Sequence, residues 1–142
     1  MNIDAISTKP VITLKSTQTV LDASKLMREN GIRHLPVMDG QGTLVGVITD
    51  RDIKRVSASE ATSLDIHELL YLLDKLPVTK VMSQNPVTVT PSTPVSEAAK
   101  LMVERKIGCL PVLGNGKLAG IVTQIDLLRL LAEGGVRAGE AK

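Results

Sequence analysis

Apolar residues recur along this chain in two stretches with the same spacing. Val20, Ala23, Leu26 and Met27 fall three and four positions apart, and so do Val95, Ala98, Leu101 and Met102. That period places them on one face of a helix. The spacing predicts a helix from Thr19 to Asn30-Gly31, with Thr19 and Asp22 forming a capping box and glycine closing the end. In the second stretch Thr93 is expected to cap, with Pro94 at the first helical position. After the first helix come an apolar strand, His34 to Met38, a Gly-rich turn, Asp39 to Gly42, and a second strand, Leu44 to Ile48. A further helix is expected from about Asp50. Val11 to Leu14, following a proline, reads as a short extended piece ahead of it all. The pattern of each stretch is therefore β-α-β-β-α.

The two stretches are a duplication. Between Val20–Asp39 and Val95–Gly114, 10 of 20 positions are identical, including Leu35-Pro36-Val37 and Leu110-Pro111-Val112. Shifted by one residue, Leu44 to Ile53 matches Leu118 to Leu127, where Gly46/Gly120, Thr49/Thr123 and Asp52/Asp126 coincide. Upstream, Lys9-Pro10-Val11-Ile12-Thr13 echoes Asn85-Pro86-Val87-Thr88-Val89. Two copies are too few for a solenoid, so they are expected to pack face to face about a pseudo-two-fold axis. The expected organisation is a first motif over 1–56, a linker over 57–80, a second motif over 81–132 and a frayed tail over 133–142. Within the linker, Ala58 to Ser63 reads as a loop, and Leu69, Leu72, Leu73 and Leu76 mark an extra helix.

Composition narrows the function. The chain has 142 residues, 43% hydrophobic, with one tyrosine and no Phe or Trp. The core must be aliphatic, and stacking platforms for single-stranded nucleic acid are missing. A net charge of +2 gives no reason to expect DNA binding. The single cysteine, Cys109, fits a reducing cytoplasm. No apolar run approaches a membrane span, and the first residues do not read as a signal peptide. His34, His67 and Cys109 lack metal-ligand spacing. No Gly-x-Ser-x-Gly, Walker loop or other catalytic constellation is present, so neither catalytic residue nor catalytic cofactor is expected.

The candidate chemistry lies in Gly46-Val47-Ile48-Thr49-Asp50-Arg51-Asp52 and Gly120-Ile121-Val122-Thr123-Gln124-Ile125-Asp126. Both place Thr-x-x-Asp where a strand becomes a helix. One reading is a capping box, worth about 1 kcal/mol. The other uses the same geometry for a ligand. A helix N-terminus favours phosphate, the Thr hydroxyl can reach a phosphate or sugar oxygen, and the carboxylate can accept from both hydroxyls of a ribose.

These elements together resemble CBS motifs, named for the regulatory region of cystathionine β-synthase. The resemblance rests on Pro10-Val11-Ile12-Thr13 and Pro86-Val87-Thr88-Val89, the Leu-Pro-Val strands and the Gly-x-x-Thr-x-x-Asp stretches, and covers residues 1 to 132. The joining segment from Ala61 to Leu73, and Lys106 to Val112, look like the acetoin-utilisation subgroup, members of which often carry an additional small ligand-binding domain that is not expected here. The resemblance implies an α/β (α+β) CBS pair, or Bateman module, that commonly forms a homodimer. It implies two related clefts for AMP, ADP, ATP or S-adenosylmethionine, and an unknown target protein acted on in trans. Carried over, Asp52 and Asp126 hold ribose, and Thr49 and Thr123 lie by the ribose or first phosphate. Ile12, Thr13, Val87 and Thr88 wall the adenine, and Arg33, His34, Gly108 and Cys109 line the clefts. The first copy has Arg33, His34 and Arg51 where the second has Gly108, Cys109 and Gln124, so the clefts are expected to be unequal in their preference for phosphate.

Bland roles suit other residues. Met27, Met102 and Cys109 read as core, His67 as a surface residue, and Lys54-Arg55 as a solvated helix face. His34 suits either the core or a cleft. A scaffold with unused clefts is the competing function.

Overall fold

The computed structural model describes residues 1–60 and 63–135. The chain divides into two compact units, each mixing helices and strands. One is continuous, Ile12–Pro86. The other joins Met1–Val11 to the chain from Val87 onward.

The continuous unit holds β1 (Leu14–Lys15), α1 (Val20–Asn30), β2 (His34–Met38), β3 (Leu44–Thr49), α2 (Asp50–Glu60), α3 (Ile66–Lys75) and β4 (Ser83–Gln84). Helix α1 starts as its sequence demands. The Asp22 amide donates to Thr19 Oγ1 at 3.2 Å, and the Thr19 amide donates to Asp22 Oδ2 at 2.9 Å. It stops at Gly31, whose φ of 62° is the left-handed conformation that glycine adopts without steric cost. Strand β1 runs parallel to β2, with Leu14 beside Val37, and β3 lies antiparallel between β2 and β4. Helix α1 packs its buried Val20, Ala23 and Met27 against Leu14, Leu35, Val37 and Ile48. The linker helix α3 is capped by Asp65, which accepts from the Glu68 amide at 2.8 Å, and adds Leu73 to this core.

The second unit repeats the plan with α4 (Val95–Arg105), β5 (Cys109–Gly114), β6 (Lys117–Thr123) and α5 (Gln124–Ala132). Its core of Val89, Val95, Ala98, Met102, Leu110, Val112 and Val122 matches the first position by position. The outer strands shrink to single bridges, Val89 beside Val112 and Thr8 beside Ile121.

The segment ahead of each copy packs on the other copy's unit. Before the second copy, Val78 is buried in the first unit's core and Ser83 pairs with Val47 of β3. Before the first copy, Ile3 is buried in the second unit's core and Thr8 pairs with Ile121 of β6. The amide of Val20 donates to the Leu76 carbonyl at 2.9 Å, and that of Val95 to the Met1 carbonyl at 3.1 Å. The compact units therefore do not coincide with the stretches 1–56 and 81–132.

Three local expectations change. Helix α2 runs on through Glu60, because Ser57, Ala58 and Ser59 contain no breaker; residues 61 and 62 of the expected loop lie outside the described residues. Pro94 occupies the cap position of α4 with extended ψ of 143°, and Thr93 Oγ1 instead accepts from the Thr90 amide at 3.0 Å. The upstream echo is offset by one residue, since Leu14 and Val89, beside Val37 and Val112, are the true counterparts. Of the expected frayed tail, residues 136–142 lie outside the described residues.

Candidate functional site

Strands β2 and β3 pair so that His34 faces Thr49 at one end of the sheet. The chain turns there directly into α2, and the Asp50 amide donates to the Arg33 carbonyl at 2.9 Å. Because β1 is parallel to β2, Ile12 and Thr13 enter β1 from this same end. Arg33, His34, Thr49, Asp52, Ile12 and Thr13 thus gather where the sheet meets the N-terminus of α2. Arg51 starts from the same helical turn and is exposed.

Thr49 and Asp52 form a closed capping box. The Thr49 amide donates to Asp52 Oδ2 at 2.9 Å, and the Asp52 amide donates to Thr49 Oγ1 at 3.1 Å. Arg55 Nη1 stands 3.4 Å from Asp52 Oδ1, and Lys54 Nζ 2.9 Å from Asp50 Oδ2. Burial, helped by the Arg33 guanidinium, holds the His34 imidazole below its ordinary value against the opposing pull of Asp50 and Asp52. The neutral ring is therefore favoured, which leaves one nitrogen to donate and one to accept.

The second unit builds the same corner from different side chains. Cys109 faces Thr123, and the Gln124 amide donates to the Gly108 carbonyl at 3.1 Å. Val87 and Thr88 lead in toward Val89 from the Cys109 end. The Thr123 amide donates to Asp126 Oδ2 at 2.8 Å, and the Thr123 hydroxyl donates to the same oxygen at 3.3 Å. Arg129 Nη1 lies 3.7 Å from Asp126 Oδ1. Cys109 is buried, so its thiol packs as a small apolar group.

Two readings are corrected. With Thr49 matched to Thr123, Gln124 is the counterpart of Asp50 and Arg51 that of Ile125. The first corner thus carries two cations, Arg33 and Arg51, and one anion, Asp50, where the second has Gly108, Ile125 and Gln124. Arg55 is not merely a solvated side chain, since it reaches the aspartate of the box. Sequence reading stopped at Thr-x-x-Asp and so missed Arg55 and Arg129. The signal was there, because the repeat continues to Thr-x-x-Asp-x-x-Arg in both copies.

Each corner sets a hydroxyl and a carboxylate within one turn at a helix start, which suits a ligand carrying vicinal hydroxyls. Among the described residues, no group of three or more His, Cys, Asp and Glu could hold a metal ion. None of their helices is long and apolar enough to cross a membrane.

Residues 3–59 and 78–133 match the family model described as CBS domain. A CBS domain-containing protein of Dictyostelium discoideum is 40% identical over 130 residues, covering 91% of this chain and 90% of that protein. The fold is similar to the CBS domain pair of protein MJ0100 solved with 5'-methylthioadenosine and S-adenosyl-L-methionine. The TM-score is 0.80 at 29% identity, over 94% of this chain and 98% of that one. CBSX2 in complex with AMP gives a TM-score of 0.76 at 30% identity, over 95% and 98% of the two chains. A Vibrio cholerae chain provisionally named as an acetoin utilization protein gives 0.76 at 29% identity, over 94% and 91%.

Proposed function

This chain belongs to the CBS domain family, and from that premise we propose that it is a regulatory module that binds an adenosyl ligand and is not itself a catalyst. The observation that carries the reading is the repeated corner. In two units whose surrounding side chains have diverged, the helix start keeps the same Thr and Asp, with the Thr amide donating to the Asp carboxylate in each. The solved relatives named above hold AMP in one case and S-adenosylmethionine with methylthioadenosine in another, so the adenosine moiety is the shared chemistry. Asp52 and Asp126 receive ribose hydroxyls, and Thr49 and Thr123 sit by the ribose or first phosphate. Ile12, Thr13, Val87 and Thr88 flank the base, with Arg33, His34, Arg51, Gly108 and Cys109 completing the lining. Arg33 and Arg51, against Gly108 and Ile125, make the first corner the better host for a phosphorylated ligand.

Regulation then acts on a partner protein in trans, with the module working as a cytoplasmic homodimer. Ligand shifts the balance between two states only as far as it binds one of them better. The competing reading is a scaffold whose corners are purely structural. It is favoured by the engagement of both carboxylates with their own Thr amides. Calorimetric titration with AMP, ATP and S-adenosylmethionine separates the two. Saturable binding that Asp52→Ala or Asp126→Ala removes supports the sensor; no heat with any of the three, in a chain that folds normally, supports the scaffold.

A further inference from the structure

In both units a third side chain completes the corner. Arg55 lies one helical turn beyond Asp52, and Arg129 one turn beyond Asp126. Their Nη1 atoms stand 3.4 and 3.7 Å from the respective Oδ1 atoms. The arginine side chains are 69% and 62% exposed, whereas the carboxylates are 12% and 9% exposed. Ion pairs this open to water contribute little to stability. Stability alone therefore gives little reason for the same pair to stand in both copies, when Arg33, His34 and Arg51 have no such counterparts.

We propose that Arg55 and Arg129 are positioning residues for ligand binding, each fixing its aspartate so that the unused lone pairs face a ribose. The proposal rests on the adenosyl-binding reading. A carboxylate accepts about four hydrogen bonds, two on each oxygen. At Asp52, Oδ2 receives the Thr49 amide and Oδ1 faces Arg55. One acceptor site then remains on each oxygen, side by side, as a cis-diol requires. At Asp126, Oδ2 receives both the amide and the hydroxyl of Thr123, and Oδ1 faces Arg129. Among these bonds only Oδ1 keeps a site, so this corner takes one ribose hydroxyl until the Thr123 hydroxyl turns away. The arginines thereby set how strictly each corner demands a ribose, and the Asp52 corner demands it more strictly.

The test measures binding of AMP and of its 2'-deoxy counterpart to the full chain and to Arg55→Met, Arg55→Lys and Arg129→Met. Arg55→Met is expected to weaken AMP about tenfold, the loss of one charge-assisted contact, and to leave 2'-deoxy-AMP within about twofold on the same basis. Arg55→Lys should recover part of the preference, and Arg129→Met should shift it less. An equal loss for both nucleotides would mean that the guanidinium serves the phosphate or the helix, and would overturn the proposal. So would an unchanged ratio in a chain whose AMP binding Asp52→Ala abolishes, which leaves the adenosyl reading intact. If the unaltered chain binds neither nucleotide, this proposal fails, and the adenosyl reading fails with it only when ATP and S-adenosylmethionine also give no heat.

Discussion

The amide of Asp50 donates to the carbonyl of Arg33 at 2.9 Å, which ties the first residue of α2 to the residue entering β2. The link is backbone to backbone, so it survives changes of side chain. Gln124 and Gly108 make it again at 3.1 Å with unrelated side chains. The corner is thus a fixed frame on which Arg33, His34 and Arg51 are variable fittings.

Asp52→Asn separates the two duties of that aspartate. The amide oxygen can still accept from the Thr49 amide, so the cap persists and unfolding free energy should change by less than about 1 kcal/mol. Affinity for an adenine ribonucleotide should fall about tenfold, because a charged acceptor becomes a neutral one. Thermal unfolding and calorimetry on the same sample check both halves.

Gly46→Ala should destabilise more than Gly120→Ala. A Cβ at Gly46 would stand 2.8 Å from the Ser83 carbonyl oxygen, which the β3–β4 pairing holds in place. At Gly120 the nearest atom is Ser7 Oγ at 3.0 Å, the end of a small side chain that can rotate. A cost of about 1–3 kcal/mol is expected at Gly46 and less at Gly120, read from denaturant midpoints.

His34 makes stability pH-dependent with a definite sign. Its folded value lies below the ordinary 6.5, so the unfolded chain binds the proton more readily. Stability from this group is complete above 6.5 and falls as pH drops from there toward the folded value. His34→Gln should flatten that part of the profile. Equal pH slopes for the two proteins between pH 7 and 5, measured by urea unfolding, would refute it.

Ile3→Ala should weaken the second copy's unit although it lies in front of the first. Ile3 is fully buried in that core, and replacing a buried isoleucine by alanine costs about 2–5 kcal/mol. Amide exchange should rise over 95–130 before it rises over 20–56.

Much of this was legible in the sequence because duplication doubles the signal. The helical stripes, the Leu-Pro-Val strands and the Thr-x-x-Asp starts each occur twice, and the structure builds both copies from them. The crossing of the leading segments was not legible. Ser83–Gln84 is only two residues long and Thr8 makes a single bridge, so no alternation exists to read, and their partners lie far away along the chain. Thr93 misled because a proline at the cap position lets a nearby hydroxyl serve the preceding turn. Arg55 was hidden by its neighbour Lys54, since two adjacent cations on an exposed helix face look like solvation until one is seen to reach back to Asp52.

The leading segment also inverts the order of assembly. During synthesis Met1–Val11 emerges ahead of Ile12–Pro86, yet its partners Thr93, Val95 and Ile121 emerge behind that stretch. At roughly 5–20 residues per second Met1–Val11 waits several seconds or longer for those partners. The stretch Ile12–Pro86 draws its core residues from within itself and can close in the meantime. Contacts of such long sequence separation are slow to form, so the second copy waits to be finished by residues made ahead of the first.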